Sequence, residues 1–576
     1  MSMTAKQWKI TFTILMAGSI LAALKLIFFD YTMDEEYQLM MGYRILRGDH
    51  LFREMWEPHQ TSAFLCTGLM WLYKTITGTY TGILIYLRIC TTLIQIAVSL
   101  YLYRILLRGK ILSARSATLC ALIYFNMVPK IIQIPDFSNM QLWFFTLTVL
   151  CLIHYRLDSG HADRYWLVLA AGLCMALEVL AYPSCVILFP FFVIYLYRNS
   201  GEKKWRDIGL FTGICAVSAA LWLCLVLRSV GMEELIRNLR LLLSYDLTHE
   251  ISGATAGKLS GIFSNLLGCG AFLLLTFALS IPFMVMARRK NPAWRKEQCI
   301  PAFMCIAVFI SECIQFILWT VKKSGYEVYQ LHLFMLLLAG LLSYRYAGNL
   351  KKYLAPGIFG TLLSYIAVIY ISDLEMFYAL PHGVLGVLFC AVLLALSLQK
   401  NLGKAAEKWI CFLLVCLCLI SIWGKGYTLR AGRGYNVVPD TESIMKCGPA
   451  VGILSDYMNC YIYNCNYEDF QEYVKEDDVV LIVTNMVTSA GTTPYMMAGA
   501  EVAHYSIVDP TAYDERLLTY WELYPQKSPN VIVVDCWYGE LKESPDSWIM
   551  RYIEESFGYN QVNDGRYVRF YRKQCQ

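Results

Sequence analysis

The sequence predicts a polytopic α-helical membrane protein, about thirteen transmembrane helices carrying a C-terminal α/β domain, and three observations predict it. Of 576 residues, 57% are hydrophobic and only 16% charged, with a mean hydropathy of +0.46; soluble domains carry about 25% charged residues. The apolar runs are long, uncharged and repeated, as hydrocarbon-spanning helices must be. After about residue 430 that pattern gives way to short apolar stretches separated by amphipathic ones.

Taken in order, the runs fall at 10–29, 80–103, 116–129, 138–155, 165–181, 183–197, 208–228, 260–287, 300–320, 330–344, 354–371, 382–399 and 407–423. The first lacks a small-residue cleavage site behind it, so it reads as a retained helix and not a signal peptide. The run 61–77 is shorter and interrupted by Lys74, which suits a re-entrant or interfacial piece feeding the second span.

The connections alternate. One set holds Lys6 and Lys9, "RILLRGKILSAR" (104–115), Arg156 and Arg164, "RNSGEKKWR" (198–206), "RRKNPAWRK" (288–296), "RYAGNLKK" (345–352), and Lys400, Lys404 and Lys408. The other set is poorer in Lys and Arg. Positive residues stay cytoplasmic. The N-terminus is therefore expected inside, and an odd span count puts the C-terminal domain outside, in a multi-pass plasma-membrane protein. The net charge of +5 is too small to argue for nucleic acid, and the basic residues serve as topology signals.

The expected domains are a membrane domain over 1–429, with an outer loop at 30–60, and an extracytoplasmic α/β domain over 430–576. In the second, "PAVGILSD", "DDVVLIVTN", "PNVIVVDCW" and "RYVRFYRK" read as strands. "YEDFQEYVKE" and "PDSWIMRYIEESF" read as helices between them. Five cysteines there (Cys447, Cys460, Cys465, Cys536 and Cys575) are an odd number, and their pairing is not readable. The remaining cysteines lie mostly in apolar runs as small hydrophobes.

The densest polar cluster sits between the first two apolar runs: "MDEEYQLMMGYRILRGDHLFREMWEPHQ" (33–60). Asp34, Glu35 and Glu36 open a helix that runs to Arg47 and stops at Gly48. Its middle is apolar enough to lie at the membrane surface. Trp56 suits an interface and Pro58 a turn. Asp34, Glu57 and His59 then line the outer rim of the membrane. The plainer alternative is acids stabilised by a helix dipole and an interfacial Trp.

In order and spacing, "DEEY", "RILRGD", "FREMW" and "EPHQ" resemble the first outer loop of the GT-C superfamily of polyprenyl-phosphate-dependent glycosyltransferases. That superfamily includes the protein O-mannosyltransferases of family 39, the lipid A aminoarabinose transferases and the Rgt-like bacterial family. The resemblance puts Asp34 on the catalytic acid, Glu35 beside it, Glu57 on the second acid and His59 on the following basic residue. His59 replaces the usual Lys, and Gln60-Thr61 replaces a Pro pair. The thirteen-span topology with an outer C-terminal domain extends the likeness to the aminoarabinose transferases.

The resemblance implies an inverting transfer of a sugar from a polyprenyl-phosphate donor to a lipid-linked glycan, cell-surface glycan or protein acceptor, among membrane lipids. Asp34 would be the general base. Glu57 is a candidate holder of a divalent cation, with His59 its neighbouring ligand or a donor to phosphate. Other candidates come from the residues alone. Arg237 and Arg240 lie one turn apart and suit a lipid phosphate, or simply snorkel. Lys322 and Lys323 are basic on the outer side, against the positive-inside trend. Gln95, Glu178, Glu312, Gln315 and His332 are polar groups within or near spans, for which interhelix hydrogen bonding is the plain alternative. Three competing functions are a lipid-linked sugar transporter or flippase, for which no repeated halves are visible, a glycan polymerase or ligase, which would lack the Asp-Glu pair directly after the first helix, and a non-catalytic envelope scaffold.

Overall fold

The computed structural model describes residues 4–30, 33–127, 132–157, 165–245, 251–322, 326–371, 376–403, 406–428, 443–483, 498–505, 516–537, 540–541 and 543–573. The chain is a helical bundle with a mixed sheet docked on one end. All thirteen expected runs coincide with helices. Among the described residues, nine helices are long and apolar enough to cross a membrane. Three shorter apolar helices, Trp166–Ala181, Pro183–Asn199 and Leu331–Tyr346, accompany them. The thirteenth run is Ala114–Asn126, only 13 residues long; at 1.5 Å per residue it spans about 20 Å, short of a full hydrocarbon core.

Hydropathy and burial separate two kinds of helix. Val384–Leu402 is buried along its length from Val384 to Leu398 and is the axis of the bundle. Gly201–Ser229 and Ser260–Lys290 are both more apolar, yet largely exposed. Apolar surface left outside a bundle is what lipid covers.

Helix α1 (Ala5–Phe28) starts on a capping box made by Thr4 and Gln7. Asp30, with φ of +48°, turns the chain, and α2 (Met33–Arg47) follows. Its end is a Schellman closure: Gly48, at φ +105°, donates to the Ile45 carbonyl, and the Asp49 N–H to that of Arg44. Helix α3 (Ala63–Thr77) packs back along α2 and stops at Gly78 in the left-handed region. It leaves Trp71, Leu72 and Ile76 exposed, in keeping with an interfacial piece. The second span is α4 (Ile83–Arg108).

The C-terminal strands are β1 (Ser443–Ile444), β2 (Leu454–Ser455), β3 (Val479–Val483), β4 (Glu501–Val502), β5 (Val531–Trp537), β6 (Glu540–Leu541), β7 (Gln561–Asp564) and β8 (Val568–Arg572). The order β4-β3-β5-β8-β7 is parallel on the β4–β3–β5 side and antiparallel beyond β5. The "VVLIV" and "VIVV" runs sit side by side in the centre, covered on both faces, which is why they carry no polar alternation. The helices expected around 467–476 and 545–557 are present as Tyr457–Tyr473 and as Trp548–Tyr552, whose last turn loosens into Ile553–Phe557. The helix Arg516–Leu523 and strands β1, β4, β6 and β7 are additions. None of the four described cysteines of this region forms a disulfide.

This region is not held by a tether alone. One apolar core contains Leu39, Met40, Tyr43, Cys66 and Leu84 from the bundle together with Met445, Ile453, Phe470 and Val533 from the sheet. Backbone bonds join the two: Asp30 N–H to Leu454 O at 2.7 Å and Gly82 N–H to Gly448 O at 3.1 Å.

The basic loops gather at the opposite end. Gln298 donates to the Asn401 carbonyl and Asn401 to that of Tyr346. Arg156 donates to the Lys352 carbonyl. Gln7, Ser113, Arg115, Gly403 and Lys408 line one open cavity of about 800 Å³. The 30–60 loop, the segment after Ser229 and the sheet domain share the other end. The two sets of connections read from charge alternation are thus two physical ends of the bundle.

Candidate active site

Ten successive residues of α2, Glu35 to Arg44, are buried. The helix lies between α3 and the sheet domain, which corrects its expected place on the membrane surface: the sheet covers the face that lipid headgroups would have covered. Trp56 is likewise no interfacial belt residue. It is buried in the sheet domain's core, its ring 5.3 Å from those of both Tyr505 and Tyr520. Its backbone N–H donates to the Tyr505 carbonyl at 2.9 Å, and its indole N–H to the Arg53 carbonyl at 2.8 Å.

Arg44 ties the loop together. Its guanidinium is fully buried and donates to Asp49 Oδ2 at 2.7 Å, to the Glu54 carbonyl at 2.8 Å and to the Tyr505 carbonyl at 3.4 Å. It lies 3.7 Å from Glu57 Oε1. Lys527 of the sheet domain makes a second ion pair to Asp49. Burial alone would raise the Asp49 carboxyl, but Arg44 and Lys527 outweigh it and hold it below the usual range. Tyr520 donates to the Glu54 carbonyl at 2.8 Å. Phe52, at φ +61°, reaches Gln60 Oε1 with its N–H at 2.7 Å.

Glu35 faces a different cation. Its carboxylate takes two bonds from Arg88 on α4, at 3.1 and 2.7 Å, and one from the Gln133 N–H at 3.0 Å. Both side chains are fully buried. Arg88 also donates to the Ile27 carbonyl at 2.9 Å and to that of Asp30. A carboxylate bound on both oxygens by a guanidinium that also holds the Ile27 and Asp30 carbonyls anchors the α1–α2 corner. The signal for Arg88 was a lone arginine in "ILIYLRICTT", an intramembrane charge that demands a partner.

Asp34 stands in the first turn of α2, directly before this anchor; its side chain lies outside the described residues. His59 stacks face to face on Phe137, centroids 4.0 Å apart and planes 6° from parallel. Tyr182 is 5.6 Å from His59, and His382 is 6.1 Å from Tyr182. Sequence reading missed this aromatic row, because its members come from four separate turns. Asp136, also missed, is buried and caps the helix Phe137–Leu157 through the Asn139 N–H at 2.8 Å.

Among the described residues, no group of three or more His, Cys, Asp or Glu side chains is placed to hold a metal. Glu57 and His59 gain no third ligand there, and Glu57 faces a cation already. Arg237 and Arg240 are exposed on the helix Met232–Tyr245 and line an open cavity of about 550 Å³ with Glu233, Ile236 and Leu241. That helix reaches both other parts of the site end: Asn238 donates to the Phe52 carbonyl at 2.7 Å and to the Tyr524 hydroxyl at 2.8 Å. Arg237 itself lies 3.4 Å from Glu234. Lys323 and the side chain of Lys322 lie outside the described residues.

The fold and site define a multi-pass membrane protein with a buried, ion-paired loop held under a docked α/β domain. No protein-family model matches the chain, and no curated protein sequence does. Solved structures similar to it include ArnT from Cupriavidus metallidurans bound to undecaprenyl phosphate, at 14% identity over 98% of each chain with a TM-score of 0.42. The oligosaccharyltransferase AglB from Archaeoglobus fulgidus, in complex with an inhibitory peptide and a dolichol-phosphate, is similar at 12% identity and a TM-score of 0.43, over 91% of this chain and 69% of that one. The Archaeoglobus fulgidus oligosaccharyltransferase in complex with Zn and sulfate shows 13% identity and a TM-score of 0.44, over 91% and 68%.

Proposed function

We propose that the protein is an integral-membrane glycosyltransferase of GT-C type, which moves a sugar from a polyprenyl-phosphate donor to an acceptor hydroxyl at the outer face of the membrane. One observation carries this reading. The separate pieces of the loop motif, Arg44 and Asp49 of "RILRGD" and Glu57 of "EPHQ", are joined in space by the single buried guanidinium of Arg44. A motif whose spaced residues converge on one point is a built site, and this one lies at the bundle end that the charge pattern assigns to the outside.

In the proposed reaction Asp34 takes the proton of the acceptor hydroxyl. The acceptor oxygen attacks the anomeric carbon as the bond from that carbon to the lipid-phosphate oxygen breaks. The electron pair leaves on the phosphate, and the anomeric configuration inverts. The acceptor is a lipid-linked glycan, a cell-surface glycan or a protein. Arg237, Arg240, Lys322 and Lys323 are the proposed cations for the lipid phosphate, and His59 a donor to it. The sheet domain's part is to hold the loop: Tyr505 and Tyr520 grip Trp56, and Lys527 pairs with Asp49.

The test is transfer by purified protein from polyprenyl-phosphate sugars, read by mass spectrometry of acceptor glycans. Asp34→Asn keeps the shape and removes the base, so transfer should fall at least about a hundredfold with an unchanged melting temperature. Transfer at the normal rate by that variant removes Asp34 from the mechanism. A wild type that transfers nothing from any such donor favours the transporter or scaffold reading.

A further inference from the structure

One helical turn into the bundle from the aromatic row lies a second set of polar side chains. Gln141 follows Phe137 by four residues on the same helix face. The Tyr182 N–H closes its helix on the Glu178 carbonyl at 2.8 Å. Gln141 Nε2 donates to Glu178 Oε1 at 3.2 Å and to Ser364 Oγ at 2.9 Å. The ring closes on the far side through Thr361, one turn from Ser364: a Cβ on Gly383, next to His382, would lie 2.7 Å from its methyl. Gln141, Glu178, Thr361 and Ser364 are each at most 2% exposed.

Three polar atoms of this ring, Gln141 Oε1, Glu178 Oε2 and Thr361 Oγ1, have no hydrogen-bond partner among the described residues. Buried polar atoms are almost always satisfied, and several left over in one place call for a ligand or ordered water.

We propose that this ring and the aromatic row above it form the pocket for the sugar of the donor lipid; the proposal rests on the glycosyltransferase reading. The chemistry selects the sugar over the other parts of such a lipid. The ring holds no Lys or Arg, and a phosphate beside Glu178 would gain no cation. Its polar groups make it a poor wall for a polyprenyl tail. Neutral amide and hydroxyl groups that both donate and accept match the hydroxyls of a sugar. The faces of Tyr182 and Phe137 match its C–H surface, in the usual mix of aromatic wall and few polar groups. His59, which stacks on Phe137 at the end of the row, is two residues from Glu57 of the loop motif, where the anomeric carbon would meet the acceptor.

The test measures binding of polyprenyl phosphate, bare or carrying glucose, galactose, mannose or arabinose, to full-length protein in lipid nanodiscs. Gln141→Leu and Thr361→Val each remove one hydrogen-bonding group at near-constant volume. Each should weaken the preferred sugar-bearing lipid about tenfold, the worth of one buried hydrogen bond, change the preference among sugars, and leave the bare lipid within about twofold. A variant that weakens bare and sugar-bearing lipids equally shows a packing role and overturns the pocket. Wild-type affinity and preference in both variants, with a wild type that transfers sugar, also overturns it, leaves the enzyme reading intact and assigns the orphan atoms to water. A wild type that neither binds nor transfers from any of these lipids overturns the enzyme reading and this pocket together.

Discussion

Arg44 Nε and Asp49 Oδ2 meet at 2.7 Å at the closed end of α2, both buried, and the same guanidinium faces Glu57 3.7 Å away. Helix end, loop and second acid are therefore one electrostatic unit. Arg44→Met would leave two carboxylates buried beside a lost cation. The expected loss is about 3–5 kcal/mol of stability, seen as a lower melting temperature and an earlier exposure of Trp56 by fluorescence. A melting curve matching the wild type would mean that the sheet domain holds the loop without Arg44.

Glu35 and Asp34 should separate cleanly. Glu35→Gln breaks the bidentate pair with Arg88 and should destabilise by about 3–5 kcal/mol, with any activity loss following from unfolding. The double change Glu35→Leu with Arg88→Met removes both charges and should recover much of that loss. Asp34→Asn should do the reverse, keeping stability and losing turnover. If Glu35→Gln melts normally but is inactive, Glu35 belongs to the chemistry and not to the scaffold.

His504 predicts a pH dependence. Burial, with Arg44 and Arg516 nearby, pushes its pKa down to about 3, against about 6.5 in the unfolded chain. The unfolded state then binds the extra proton between those values, so stability rises with pH from about 3 to 6.5 and is flat above. Going from pH 7 to pH 5 should cost about 2 kcal/mol at this group. Asp49, held below the usual carboxylate range, adds no slope between pH 5 and 7. His504→Phe, which keeps the stack on Tyr505, should flatten the slope of melting temperature against pH between 5 and 6.5. An identical slope in the variant would place the titration elsewhere.

Sidedness can be read by labelling. In a background without reactive native cysteines, Asn291→Cys at the basic end should be shielded from an impermeant thiol reagent in intact cells. Asp546→Cys on the sheet domain should react. The opposite pattern would put the 30–60 loop on the cytoplasmic side and remove the outer-face reading with it.

The helices were legible because a bilayer imposes one simple rule, long runs without charge, and every run in the sequence became a helix. The central strands β3 and β5 were legible for a similar reason, being buried on both faces. The short strands β4 and β6 were not, because two residues carry no periodicity. Residue types also exposed the loop, because 33–60 is the densest polar cluster between two apolar runs. Partnership was what the chain did not spell out. Glu35 and Glu57 look alike in the sequence, but one lies against Arg88, 53 positions away, and the other against Arg44. Trp56 looks like an interfacial tryptophan until a domain some 450 residues later supplies its core. The electrostatics of a buried carboxylate and the environment of an aromatic ring depend on what lies within a few ångströms. That distance is set by how the bundle and the sheet pack, so tertiary structure alone decided which cation Glu35 and Glu57 each meet.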